Sequence, residues 1–250
     1  MRLLIALAAS TAFTLAAQAG ESVDYTVDGA TYEGYLAEAT RDSKGLVVII
    51  HDWGGLDEYE KTRAEMIADE GYDAFAIDVY GKGNRPATTD ARKEQVGMLY
   101  NDREMMRARI LGGIAEAREA SGETNVILMG YCFGGGATLE LARSGEGENI
   151  AGYATFHGSL DAPEGADYSA TSAPILVMHG GADSGIPNSL AADLADQLET
   201  DGVTYEVQIY SGAPHAWTVF GSDRYQELAD RKSWDAFMDF TERYLEGDDD

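Results

Sequence analysis

Apolar residues fall along this chain in two recurring patterns. Short runs at residues 46–50, 73–79, 126–129, 152–156, 175–178 and 205–209 are dominated by Val, Ile, Leu, Phe and Ala. They are too short and too continuous for helices, and fit strands buried on both faces. Between them, apolar positions return at helical spacing across 58–70, 90–120, 134–143, 189–200 and 223–245. Such alternation predicts an α/β fold, a mostly parallel central sheet with helices on both faces. Nearer the start, Tyr25-Thr26-Val27 and residues 31–36 flank Asp28-Gly29. Asp-Gly is a two-residue hairpin turn signal, so a β-hairpin is expected ahead of the parallel strands.

Length and composition add limits. A chain of 250 residues with 44% hydrophobic content can bury one sizeable core, and α/β folds of this length usually stay single domains. Loops at 81–86 and 161–174 carry Gly and Pro, but there is no long linker or internal repeat. One domain is therefore expected over 20–246, with an acidic tail at 247–250. Residues 1–19 combine Arg2, an apolar run over 3–9 and Ala17-Gln18-Ala19, the features of a cleaved secretory signal. The expected location is periplasmic or secreted. Ser10, Thr11 and Thr14 leave that apolar stretch short of a membrane span.

The formal net charge is −26, and one unit more negative once Arg2 leaves with the leader. Such acidity argues against a nucleic-acid partner. The acids are spread along the chain as well as gathered in the tail, which fits a solvated coat more than a binding patch. A monomer is the favoured state. The single cysteine rules out an intramolecular disulfide, so an exported lone thiol calls for another explanation.

That thiol is Cys132, in Gly130-Tyr131-Cys132-Phe133-Gly134, between an expected strand and an expected helix. The segment reads as the GxSxG nucleophile elbow with Cys in place of Ser. A sharp strand-to-helix turn strains the nucleophile's backbone, and side chains two positions either side would collide there, hence Gly130 and Gly134. A helix N-terminus also favours a thiolate, so a lowered cysteine pKa is expected. The plainer reading is a buried structural cysteine.

In α/β-hydrolases the acid and the histidine follow the nucleophile. This order leaves His157, His179 and His215 as candidate bases and excludes His51. His215 lies in the loop after the strand at 205–209, the expected place for the base. Asp183 follows the strand at 175–178 and can orient the imidazole. His157 and His179 end buried strands and are expected to hydrogen-bond neighbouring loops as support. The loop His51-Asp52-Trp53-Gly54-Gly55-Leu56 corresponds to the one completing the oxyanion hole, with the backbone N–H groups of Trp53 and Phe133 as donors. Trp53, Tyr80, Tyr131, Trp217 and Phe220 lie near strand ends and either line an apolar pocket or belong to the core.

Together the segments around Cys132, His51, Asp183 and His215, in this order and spacing, resemble the dienelactone hydrolase family over most of the chain. The resemblance implies Cys132 as nucleophile, His215 as base, Asp183 as orienting acid and an oxyanion hole near Trp53 and Phe133. It also implies that Asp52, where the family usually has Glu, touches the resting thiol and helps to generate the thiolate; the alternative is that Asp52 merely caps its loop. Two arginines that hold a substrate carboxylate in the family are replaced here by Lys93 and Val219. Neither offers a bidentate fork, which weakens the case for dienelactone itself. Lys93, Tyr80 and Trp217 are the candidate substrate contacts.

The expected activity is hydrolysis of a small ester or lactone through an acyl-enzyme, with neither metal nor organic cofactor. A second reading is a degenerate hydrolase fold that binds a small ligand or senses oxidants through Cys132. An intact Cys-His-Asp set at elbow spacing favours the enzyme.

Overall fold

The computed structural model describes residues 20–247; the expected leader at 1–19 and residues 248–250 of the acidic tail lie outside them. Among the described residues, eight strands form one sheet in the order β1-β2-β4-β3-β5-β6-β7-β8. The strands are β1 (Glu21–Val27), β2 (Ala30–Ala37), β3 (Leu46–Ile50), β4 (Asp73–Ile77), β5 (Val126–Tyr131), β6 (Ile150–Phe156), β7 (Ile175–Gly180) and β8 (Tyr205–Tyr210). From β4 to β8 all neighbours run parallel. The hairpin β1–β2 turns at Asp28-Gly29, both with positive φ, and adds to the β4 edge antiparallel.

Period-two geometry sorts the core. In β3, Leu46, Val48 and Ile50 enter one apolar cluster, whereas Val47 and Ile49 enter another on the opposite face. The helices are α1 (Glu58–Asp69), α2 (Thr89–Asn101), α3 (Arg103–Ser121), α4 (Phe133–Ser144), α5 (Asn188–Asp201) and α6 (Glu227–Leu245). Residues of α2 to α5 pack on the first face, and those of α1 and α6 on the second. The five β3 side chains are fully buried, each contributing roughly 1.5–3 kcal/mol relative to exposure.

Two helix expectations need correction. The helical stretch at 90–120 is two helices, broken at Asp102 (φ −127°, ψ 79°), whose carboxylate accepts the Met105 N–H at 3.0 Å and starts α3. The stretch at 223–245 becomes helical only at Glu227. Residues 216–226 instead form successive turns, with the Gln226 N–H returning to the Trp217 carbonyl at 3.0 Å.

Parallel order brings the carboxyl ends of β3, β5, β6, β7 and β8 to one edge of the sheet, where ligands gather in such folds. The turn from β5 into α4 depends on absent side chains. A Cβ on Gly130 would lie 2.3 Å from the Gly134 carbonyl, and one on Gly134 2.3 Å from the Ile50 oxygen. Gly134→Ala is therefore expected to destabilise the protein by about 3 kcal/mol or more. Gly97→Ala, in α2 with nothing within 4 Å of the added Cβ, is expected to stabilise by about 0.5–1 kcal/mol. Thermal unfolding of the two variants checks the contrast; equal melting temperatures would contradict it.

Candidate active site

Cys132 leaves β5 and heads α4 with φ 54° and ψ −113°. Among the described residues, only five non-glycine positions have positive φ, and three of them, Cys132, His157 and Ala216, surround this site. Backbone strain is thus concentrated where the chemistry-bearing side chains meet.

The structure brings the expected triad together. His215 Nε2 lies 3.1 Å from Cys132 Sγ, and His215 Nδ1 lies 2.7 Å from Asp183 Oδ2. A carboxylate can only accept, so Nδ1 carries the hydrogen and Nε2 faces the thiol as the acceptor. The other Asp183 oxygen accepts the Gly185 and Ile186 N–H groups at 2.8 and 3.0 Å. Two backbone bonds tie the loops together: Gly181 N–H to the Tyr210 carbonyl at 2.8 Å, and Ala182 N–H to the Ala213 carbonyl at 2.9 Å. The Asp183 loop is thereby fixed against the His215 loop.

Burial pushes the Cys132 thiol up to about 12, aided by the negative charge of Asp52 and opposed by hydrogen bonds from the Phe133 and Trp53 N–H groups. The two expected oxyanion donors thus converge on the sulfur, but the expected lowering of its pKa is reversed. Loss of hydration and a nearby carboxylate outweigh the helix N-terminus, and the sulfur rests as a protonated thiol. Asp52 lines the same cleft as Cys132. Its carboxylate accepts the Gly54 N–H at 2.5 Å, as a loop cap does. Burial raises its own pKa.

Behind His215 lies a buried polar chain. The His157 ring is 5.2 Å from that of His215, edge to face. His157 Nε2 meets Thr218 Oγ1 at 2.8 Å, and the same hydroxyl meets the Tyr59 hydroxyl at 2.6 Å. Arg63, fully buried, donates to the Thr218 carbonyl and to Asp230. Burial, with the nearby charge of Arg63, holds His157 well below the ordinary histidine range. The support expected of His157 is present. His179 is also buried, yet neither ring nitrogen has a hydrogen-bond partner among the described residues. His51 is neutral too: burial lowers it to about 4, and its Nε2 accepts the Val79 N–H at 3.2 Å.

The sulfur opens into a cleft of about 460 Å³ lined by Trp53, Ile186, Pro214, Ala216 and Arg224 beside the triad and Asp52. Three expected substrate contacts are corrected. Lys93 is exposed and lies outside the cleft lining; its neighbour Arg92 is the cation turned inward, 5.5 Å from the Trp53 ring. One residue along a helix changes direction by about 100°, enough to swap their roles. Trp217 is fully buried, 5.0 Å from the His157 ring. Tyr80 lies under the oxyanion loop, its hydroxyl 3.4 Å from the Trp53 carbonyl. Both are core residues. Tyr131 is likewise buried, while Phe220 is exposed and covers Arg63 at 4.2 Å. The sequence carries no signal for Arg224, which follows His215 by nine residues through turns without periodicity. Among the described residues, no three His, Cys, Asp or Glu side chains converge as a metal site, and no helix is long and apolar enough to cross a membrane.

The model of the Dienelactone hydrolase family matches residues 32–245. A Bradyrhizobium protein named "Probable 2-oxo-3-(5-oxofuran-2-ylidene)propanoate lactonase" is 25% identical over 241 residues, covering 90% of this chain and 94% of its own. "Protein usf" of Aquifex pyrophilus is 25% identical over 232 residues, covering 90% and 99%. Among solved structures, a dienelactone hydrolase-like promiscuous phosphotriesterase from metagenomic libraries superposes with a TM-score of 0.80 at 28% identity, covering 89% of this chain and 97% of its own.

A protonated resting thiol has a direct spectroscopic consequence. The difference in thiolate ultraviolet absorbance between the protein and Cys132→Ser should stay near zero through neutral pH. It should rise only at strongly alkaline pH, toward the value of about 12 set by burial. Full thiolate absorbance at neutral pH would contradict this charge state.

Proposed function

This chain belongs to the dienelactone hydrolase family, and from that premise we propose that it hydrolyses small carboxylic esters or lactones through an acyl-enzyme on Cys132. The observation that carries the reading is the uninterrupted line from Asp183 through His215 to the Cys132 sulfur, with contacts of 2.7 and 3.1 Å at the floor of an open cleft.

The sequence of steps follows from the resting charge state. A substrate carbonyl enters over the sulfur, with its oxygen toward the Trp53 and Phe133 N–H groups. Sulfur attacks the carbonyl carbon as its proton passes to His215 Nε2, and Asp183 stabilises the imidazolium. The two N–H groups take up the negative charge that develops on oxygen. Collapse breaks the bond to the alcohol oxygen, which receives the proton from Nε2; in a lactone that oxygen remains tethered to the acyl group. Water then attacks the thioester with His215 as general base, releasing the acid and restoring the thiol. Because the thiol starts protonated, the base is needed in the first step as well as the second. Asp52, beside the sulfur and with a raised pKa, is a secondary acceptor for the thiol proton.

Arg224 on the cleft wall and Arg92 over Trp53 supply cations that the sequence positions of Lys93 and Val219 do not. Esters or lactones bearing a carboxylate are therefore included among the substrates, as the name of the Bradyrhizobium relative suggests for that protein. Export to the periplasm or medium is part of the same proposal and rests on residues 1–19; cell fractionation with mass analysis of the mature N-terminus tests it.

Turnover of a panel of aryl esters and lactones, with and without a carboxylate, tests the chemistry. Cys132→Ala should abolish hydrolysis, and His215→Ala should lower kcat by about 10²–10⁴-fold with little change in KM. Undiminished turnover in either folded variant would overturn the assignment.

A further inference from the structure

The oxyanion loop, residues 51–57, runs from the end of β3 to the start of α1, and its backbone N–H groups can be followed one by one. The Gly54 N–H goes to the Asp52 carboxylate and the Gly55 N–H to the Asp52 carbonyl, at 2.5 and 3.4 Å. His51 Nδ1 holds the same carbonyl at 2.6 Å; because His51 Nε2 accepts from Val79, Nδ1 is the donor. The N–H groups of Asp52 and Asp57 both end on one side chain, Glu60, at 3.0 Å to Oε1 and 3.1 Å to Oε2. The Trp53 N–H is the one that turns to the sulfur.

Glu60 is fully buried although it carries a carboxyl group. Half of its bonding is ordinary: Asp57 caps α1, and Glu60, three residues on, returns a bond to the Asp57 N–H, completing a capping box. A capping box needs only one carboxylate oxygen. The second oxygen reaches out of the helix to the far end of the loop, so a single side chain clasps residues 52 and 57 and closes the loop across its mouth. Burying a carboxyl is costly unless its oxygens are satisfied, and helix capping alone would not require placing it here.

We infer that Glu60 is a positioning residue for the oxyanion hole: by holding the Asp52 and Asp57 N–H groups together, it aims the Trp53 N–H at the atom above Cys132. It touches neither substrate nor sulfur. The inference rests on the hydrolase reading only for its kinetic consequence, because the clasp itself has a structural readout. Gln at this position keeps the length and one acceptor oxygen, but sets an NH₂ group against one of the two N–H donors.

The test compares Glu60→Gln with Asp102→Ala, which removes the α3 cap at a residue outside the cleft lining. In Glu60→Gln, kcat should fall at least about tenfold with KM within about twofold, short of the roughly 10²–10³ seen when an oxyanion donor is removed outright. Hydrogen exchange at the Asp52 and Trp53 amides should accelerate at the same time. Asp102→Ala should lower the melting temperature yet leave kcat and both amides unchanged. Glu60→Asp, one methylene short and able to reach only one N–H, should fall between wild type and Glu60→Gln, and replaces Glu60→Gln if that variant does not fold.

Unchanged protection of the Asp52 and Trp53 amides in the Glu60 variants, or the same kcat loss in Asp102→Ala at matched stability, would overturn the inference. A folded wild type without turnover would sink the hydrolase reading alone, and the amide exchange would still decide the clasp.

Discussion

Everything at this site depends on one tight turn. Between β5 and α4 the backbone passes Cys132 at positive φ, a conformation that costs about 1–3 kcal/mol for a residue with a side chain. The turn is held by close approaches that only glycine permits: Gly130 against Gly134, and Gly134 against the carbonyls of Ile50 and His51. Because Gly134 meets the end of β3, the elbow and the oxyanion loop are packed together by backbone contact. The Phe133 N–H comes from one and the Trp53 N–H from the other, so the same contact that strains Cys132 sets the spacing of the donors around its sulfur.

Charge at the site is kept low until a substrate arrives. Burial favours the neutral forms of Cys132, His157 and His51, and the Asp183 carboxylate is satisfied by two backbone N–H groups and His215. Arg63 and Asp230 place a buried ion pair behind the histidine loop, in contact with it through the Thr218 carbonyl. A buried, protonated thiol reacts poorly with oxidants, since the thiolate is the reactive species. This weighs against the thiol-sensing alternative and favours a nucleophile made reactive by its base during attack.

Much of this was legible in the sequence because its causes are local. Continuous apolar runs marked the parallel strands, Asp28-Gly29 marked the hairpin, and the glycines around Cys132 marked the elbow. Chain order and strand-end position then singled out Asp183 and His215, which the structure sets in line with the sulfur. What sequence missed depends on direction or on three-dimensional surroundings. Asn101-Asp102 is a helix-start signal hidden inside an amphipathic stretch. Lys93 and Arg92 are adjacent, and only helix rotation decides which one faces Trp53. Tyr80 and Trp217 sit at strand ends, but their rings turn into the core. The helix N-terminus alone predicts a lowered thiol pKa, whereas the burial and carboxylate that raise it come from segments distant in sequence. Glu60 read as part of an ordinary helical face; its second bond, to Asp52, becomes visible only when the oxyanion loop folds back over α1.

The central claim is that Cys132 forms a covalent acyl intermediate. Acid-quenched turnover of a slowly hydrolysed aryl ester, followed by peptide mass mapping, tests it most directly. The account predicts a single acyl adduct on the peptide that carries Cys132, accumulating toward one per chain. Steady turnover with no adduct, or with the acyl group on another residue, would contradict it.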